Sequence, residues 1–134
     1  PSDLLAEAFA RLLPQLSERM TAPDREAVAR IVASPATRQL VAAAEDGRIV
    51  GLLSVALYDV PSGRKAWIED VVVDAAARGR GIGEALVREA LALARREGVA
   101  RVMLTSNATR RAAHRLYERM GFVRYETDCF RLDL

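Results

Sequence analysis

Between an apolar run and a long amphipathic stretch lies the segment Arg78-Gly79-Arg80-Gly81-Ile82-Gly83. Three alternate glycines strip the backbone of side chains, so an anion can approach several N–H groups closely. The residues that follow read as a helix starting at about Gly81, which adds orphan N–H groups and the positive end of a dipole. No Ser, Thr, Asp or Asn directly precedes that helix; Ala75, Ala76, Ala77, Arg78, Gly79 and Arg80 do. Its first N–H groups therefore lack the usual side-chain cap. A bound diphosphate satisfies them, and so does water. Arg78 and Arg80 favour the phosphate, because a bare glycine turn does not need flanking cations. The glycine spacing does not match a dinucleotide fingerprint, and the Gly-Lys-Ser/Thr of a P-loop is absent.

Glu69 and Asp70 are adjacent acids in an otherwise apolar segment. Strand alternation sends them to opposite faces, so one at most points into a given cleft. A carboxylate in a partly dry cleft has a raised pKa and suits a general base near neutral pH. A strand-end carboxylate bonded to backbone or paired with an arginine is the structural alternative. Tyr117 shares a helical stripe with Ala112, Ala113, Leu116 and Met120, and from the stripe alone it reads as core. His114 falls on the polar flank with Arg110, Arg111 and Arg115 and reads as solvated. Cys129, the single cysteine, has no readable activating environment and no disulfide partner. Zinc sites need several ligands, so no metal is expected. Trp67 reads as packing.

These groups need elements to hold them. Residues 3–19 read as a helix capped by Ser2 or Asp3, with Leu4, Leu5, Ala8, Leu12 and Leu16 at helical spacing and Pro14 kinking or shortening it. A second helix runs from about Pro23 to Ala33, with Pro23 in the first turn. A strand at 37–45 meets a hairpin signal, Asp46-Gly47, and a second strand at about 48–58. After a turn at Pro61, Ser62 and Gly63 comes a strand at 66–73, whose last three residues do not alternate and so belong in the sheet interior. The long helix ends at Gly98; a strand at 99–105, a helix at 109–120 stopped by Gly121, and strands at 122–127 and 129–133 complete the chain. That order predicts an α/β or α+β fold, one layer of sheet flanked by helices.

The 134 residues suit one compact domain, 1–134. With 51% hydrophobic and 28% charged residues the chain reads as a soluble globule. At 5%, aromatics leave little surface for stacking bases, and a net charge of +2 is too small and too dispersed for a nucleic-acid binder. No apolar run is long enough to span a membrane and no signal peptide opens the chain, so the expected address is the cytoplasm. The chain begins with Pro1 rather than Met, so some N-terminal residues are expected to be missing.

Arg78-x-x-Gly81-x-Gly83, preceded by Val71-Val72-Val73-Asp74 and followed by an amphipathic helix, resembles the acetyl-CoA signature of the GNAT superfamily of N-acyltransferases. Ala113-x-x-Leu116-Tyr117-Glu118-x-x-Gly121-Phe122 resembles the same family's C-terminal signature, in the order and at the separation the family shows. The resemblance covers about residues 45 to 134; the first 40 fit only by their helical pattern. It implies a GNAT fold: a mixed central sheet with a splayed strand pair, about four helices, and a first family strand that would lie upstream of Pro1.

The resemblance also implies roles. N–H groups from Arg78, Gly79, Arg80, Gly81, Ile82 and Gly83, with Glu84 following, would hold the pyrophosphate of acetyl-CoA. Val71, Val72 and Val73 would pair with the pantetheine arm, beside a splay from the 99–105 strand. The N–H near Val71 would polarise the thioester carbonyl. Tyr117 matches the tyrosine that protonates the departing thiolate. Some sugar-phosphate acetyltransferases of the family have a similar acidic pair at Glu69 and Asp70, which favours Glu69 as base; ordered water is the alternative. The family often has Asn seven residues before the tyrosine, where this chain has Arg110, and its nearest Asn is Asn107. Both are expected near the cofactor, Arg110 at the nucleotide phosphates. The implied activity is acetyl transfer from acetyl-CoA to a small-molecule amine. A protein lysine or N-terminal amine as acceptor, or a coenzyme A sensor without turnover, remain as alternatives. A homodimer is in keeping with relatives. The acceptor is not encoded legibly; the segments 20–36 and 58–65 are expected to select it.

Overall fold

The computed structural model describes residues 2–134. Its elements are α1 (Ser2–Leu16), α2 (Arg25–Ala33), β1 (Thr37–Ala43), β2 (Ile49–Val60), β3 (Gly63–Val73), a 3₁₀ turn (Ala75–Ala77), α3 (Ile82–Arg96), β4 (Val102–Leu104) and α4 (Arg111–Arg119). The sheet order is β1-β2-β3-β4, antiparallel except for the parallel β3–β4 pair. This is the expected mixed sheet with helices on both faces.

The apolar patterns explain the layers. Leu5, Ala8, Phe9, Leu12 and Leu13 of α1 and Val28 of α2 bury against Ile49, Leu52 and Val72 on one face of the sheet. Leu86, Val87, Ala90 and Ala94 of α3 bury against Leu53, Val55, Leu57, Ala66 and Ile68 on the other. α3 presses closest at Gly51, where an added Cβ would stand 3.0 Å from both Ile82 Cγ2 and Leu86 Cδ1. Glycine is needed there for helix-to-sheet distance.

Several boundaries differ from the sequence reading, each for a local reason. Ser2 and Asp3 lie inside α1 rather than capping it, and Pro1, with any strand before it, lies outside the described residues. α1 stops two residues beyond Pro14, which offers no N–H to its own helix. Pro23 precedes α2 instead of entering it; Asp24 caps the helix by accepting a bond from the Ala27 N–H at 2.8 Å. The strand expected from 99 begins only at Val102, because Val99 is taken up by the cap that follows α3. There the Gly98 N–H bonds Arg95 O and the Val99 N–H bonds Ala94 O, a Schellman cap.

The two final strands do not form. From Val123 onward the chain has no ladder partner, and Val123, Phe130 and Leu132 stand 84–92% exposed. Alternating polarity suits residues for a strand but does not supply an edge, and β4 is only three residues long. Among the described residues no helix is long and apolar enough to cross a membrane.

Gly51→Val should force α3 outward and destabilise the fold by about 2 kcal/mol, the usual range for overpacking. Urea unfolding should show a lower midpoint at an unchanged m-value. An unchanged midpoint would mean that Ile82 and Leu86 simply rotate away.

Candidate active site

The chemistry-bearing residues gather where β3 loses its partners. β4 pairs only with Ala66, Trp67 and Ile68, so from Glu69 onward β3 has an open edge on that side. On the other side the register to β2 slips: Leu52 faces Val72, but Ser54 faces Glu69. Asp70 and Val71 thus have no ladder partner on either neighbour, and Asp70 has φ 49°, the sole positive φ outside glycine among the described residues. This β-bulge shifts the phase of alternation. Ile68 and Val71 pack into the same apolar cluster, although an odd spacing would put them on opposite faces of a regular strand. The expectation that Glu69 and Asp70 point to opposite faces is therefore corrected. Both line the same two cavities.

The first cavity, about 450 Å³, opens between the diverging ends of β3 and β4 and is bounded by Tyr117, Arg110 and Asn107. The second, about 460 Å³, lies between α1–α2 and the sheet, with Phe9, Met20, Ile31, Gln39 and Ser54 on its walls. Glu69 and Asp70 stand at their junction. Partial burial and the adjacent Asp70 carboxylate push the Glu69 carboxyl above its ordinary range.

Tyr117 is fixed from behind. α4 ends in a second Schellman cap: the Gly121 N–H bonds Glu118 O (3.1 Å) and the Phe122 N–H bonds Tyr117 O (3.0 Å). This brings the Phe122 ring edge-on to Tyr117, centroids 5.8 Å apart. Burial raises the phenol pKa and the nearby Arg110 charge opposes that, so the hydroxyl stays protonated at neutral pH.

The glycine turn enters α3 as its composition requires. Gly79 (φ 81°) and Gly81 (φ 77°) are left-handed, and a Cβ on either would meet nothing within 4 Å. Gly81 is the N-cap and gives α3 no side-chain hydrogen bond. Gly83 serves packing instead: its Cβ position lies 3.3 Å from Leu116 Cδ2 and 3.7 Å from Val73 Cγ2. The open, uncapped, left-handed turn fits the diphosphate of a nucleotide cofactor.

A buried carboxylate, Asp74, anchors the approach to this turn. Its Oδ1 accepts the Ala76 N–H (3.1 Å), while Arg11 donates to Oδ2 (3.2 Å) and to Ile49 O (2.8 Å). Gln15 accepts the Ala75 N–H at 2.8 Å. The Ala76 N–H, then Gln15 and Arg11, hold the Asp74 carboxyl below its ordinary range.

The sequence model of the acetyltransferase (GNAT) family matches residues 4–122. The chain belongs to the GNAT family of N-acetyltransferases. It is 36% identical over 127 residues to glucosamine 6-phosphate N-acetyltransferase 1 of rice, covering 89% of this chain and 75% of that one. It is 37% identical over 89 residues to mycothiol acetyltransferase of Thermomonospora curvata, covering 66% of this chain but only 29% of that one. The crystal structure of an acetyltransferase from Trypanosoma brucei superposes with a TM-score of 0.76 at 30% identity, covering 99% of this chain and 91% of that one. GNAT enzymes use acetyl-CoA as co-substrate.

Within this acetyltransferase the expected site residues fall into two groups, apart from Val72 and Val73, which are paired with Leu52 and Gly51 of β2 and line neither cavity. Glu69, Val71, Asn107, Arg110 and Tyr117 line the first cavity. Arg78 to Gly81 form the exposed turn, with Ile82, Gly83 and Glu84 opening α3; the Arg78 Nε donates to Val73 O at 3.3 Å. Asn107 uses its Oδ1 on Thr109, accepting from both N–H and Oγ–H at 2.9 Å. Trp67 lines neither cavity. His114 is half-buried rather than solvated, and its Nε2 is shut off from water without a partner. Cys129 is exposed and lies outside any strand. Of the expected selectivity segments, 20–36 supplies Met20, Thr21, Pro23 and Ile31 to the second cavity, while 58–65 supplies nothing. Gln39 and Ser54 were missed, though polar residues at partnered positions in two apolar strands are a signal for them.

Asp70→Asn keeps a residue that tolerates positive φ, so the bulge should persist. Removing the like charge should lower the Glu69 pKa and move the acidic limb of the kcat/KM profile to lower pH; an unmoved limb would detach Glu69 from it. Gly81→Ala puts a Cβ on a left-handed residue at about 1–2 kcal/mol of backbone strain. Calorimetry should then show coenzyme A affinity reduced at least tenfold with the far-ultraviolet CD spectrum unchanged.

Proposed function

We propose that the chain transfers the acetyl group of acetyl-CoA to the primary amine of a small molecule. The carrying observation is the meeting of two cavities at Glu69 and Asp70, one walled by Tyr117 and open toward the β3–β4 splay, the other enclosed by α1 and α2. Two substrates can thus meet end to end. A volume of about 460 Å³ suits a small acceptor.

The chain's residues divide the work. N–H groups of the turn from Arg78 to Gly83 hold the diphosphate, and the open edge of Val71 to Val73 holds the arm. Bound acetyl-CoA supplies the activated acetyl group. The unladdered N–H at Val71 donates to the carbonyl oxygen as it gains charge. Glu69 takes the proton from the attacking amine, which its raised pKa suits. The Tyr117 hydroxyl donates its proton to the leaving sulfur, and burial keeps it protonated until then. The closeness in sequence to enzymes named for glucosamine 6-phosphate and mycothiol supports a small acceptor.

Free thiol released from acetyl-CoA in the presence of an amine panel tests the reaction. Turnover is expected with small amines, and Tyr117→Phe should lower kcat by about 10²–10³ while leaving coenzyme A affinity within twofold. Binding without turnover on any amine would convert the assignment to that of a coenzyme A sensor.

A further inference from the structure

The second cavity differs chemically from what a sugar phosphate requires. Its walls are apolar at Phe9, Leu13, Met20, Ile31 and Leu52, and no Lys, Arg or His among the described residues lines it. The ionisable groups that reach it are Glu69 and Asp70, both acids.

The polar wall residues are also spent in one direction. The Ser54 hydroxyl donates to Gln39 Oε1 at 2.7 Å, and Gln39 Nε2 donates to Leu40 O and Leu53 O at 3.2 Å each. Both therefore present lone pairs, not hydrogens, to anything in the cavity. Thr21 and Thr37 remain as the side-chain donors on the wall. A phosphate or carboxylate placed here would face acceptors and meet two like charges. A cationic amine on an apolar body would meet apolar walls, lone pairs and carboxylates.

We infer that the acceptor is a primary amine on an apolar body, bearing no phosphate or carboxylate, and that the chain disfavours the anionic acceptor named for its rice relative. This rests on the acetyl-transfer reading. Hydroxyl or amino groups elsewhere on the acceptor are tolerated, since they can donate to Gln39 and Ser54.

Matched pairs differing by one anion test this. Steady-state thiol release is measured with phenethylamine against phenylalanine, and with glucosamine against glucosamine 6-phosphate. The expected result is a kcat/KM at least 100-fold higher for phenethylamine than for phenylalanine, and higher for glucosamine than for its phosphate. Thr37→Arg, on the edge strand, should narrow the phenethylamine-to-phenylalanine ratio at least tenfold and lower the glucosamine ratio by putting a cation on the wall. A preference for either anionic member would overturn the inference and leave the transferase reading standing. Coenzyme A binding without turnover on all four amines would remove both.

Discussion

Everything at this site follows from where β3 stops being an ordinary strand. Its parallel ladder to β4 ends at Ile68, and two residues later its antiparallel ladder to β2 slips by one. A backbone segment without partners inside a sheet is normally a liability. Here the segment lies against cavities rather than dry core: Glu69 and Asp70 line both and Val71 the first. The bulge turns two consecutive acids toward one junction, which no regular strand can do. The bound acyl donor and its amine would otherwise have to meet across a closed sheet.

The divergence of β4 has its own cause. After Leu104 the chain reaches Asn107, whose carboxamide oxygen gathers both the N–H and the hydroxyl of Thr109 and turns the backbone into α4. The strand cannot continue along β3 through that turn. Asn107 thus lines the wall of the first cavity and fixes the turn between β4 and α4. The opposite end of β3 is held just as firmly. Arg11 and Gln15 of α1 tie down Asp74, and Asp74 caps the 3₁₀ turn that leads to the glycines. The helix that walls the second cavity therefore also positions the approach to the glycine turn.

The glycine turn and the layer order were legible in the residues themselves, whereas the stripe alone reads Tyr117 as core and only the family resemblance singles it out. Gly81 needs a left-handed φ, which is a local requirement, whereas the space at Gly83 is limited by Leu116 and Val73, which the fold brings there. The bulge was not legible, because alternating and bulged readings of Ile68 to Val73 differ in which cluster each of three equally apolar residues, Val71, Val72 and Val73, joins, and the packed helices decide that. His114 failed for a related reason: its flank of arginines reads as wet, yet tertiary packing closes over Nε2. The final strands failed because polarity patterns encode a face but not a partner.

The same helix ending serves two purposes in this chain. At α3 the cap Gly98-Val99 turns an apolar residue back onto the core, which consumes residues the sequence pattern assigns to a strand and delays β4 to Val102. At α4 the cap Gly121-Phe122 turns an aromatic residue back onto the last helical turn, where it meets Tyr117 edge-on. In a Schellman cap the residue after the glycine naturally contacts the residue five positions before it, here Phe122 and Tyr117. The proton-donor role proposed for Tyr117 asks for a ring held to within a fraction of an ångström, and a phenol on a helix has two freely turning bonds. The glycine and phenylalanine that follow Tyr117 thus act on it together: one reverses the chain, and the other packs edge-on against the ring.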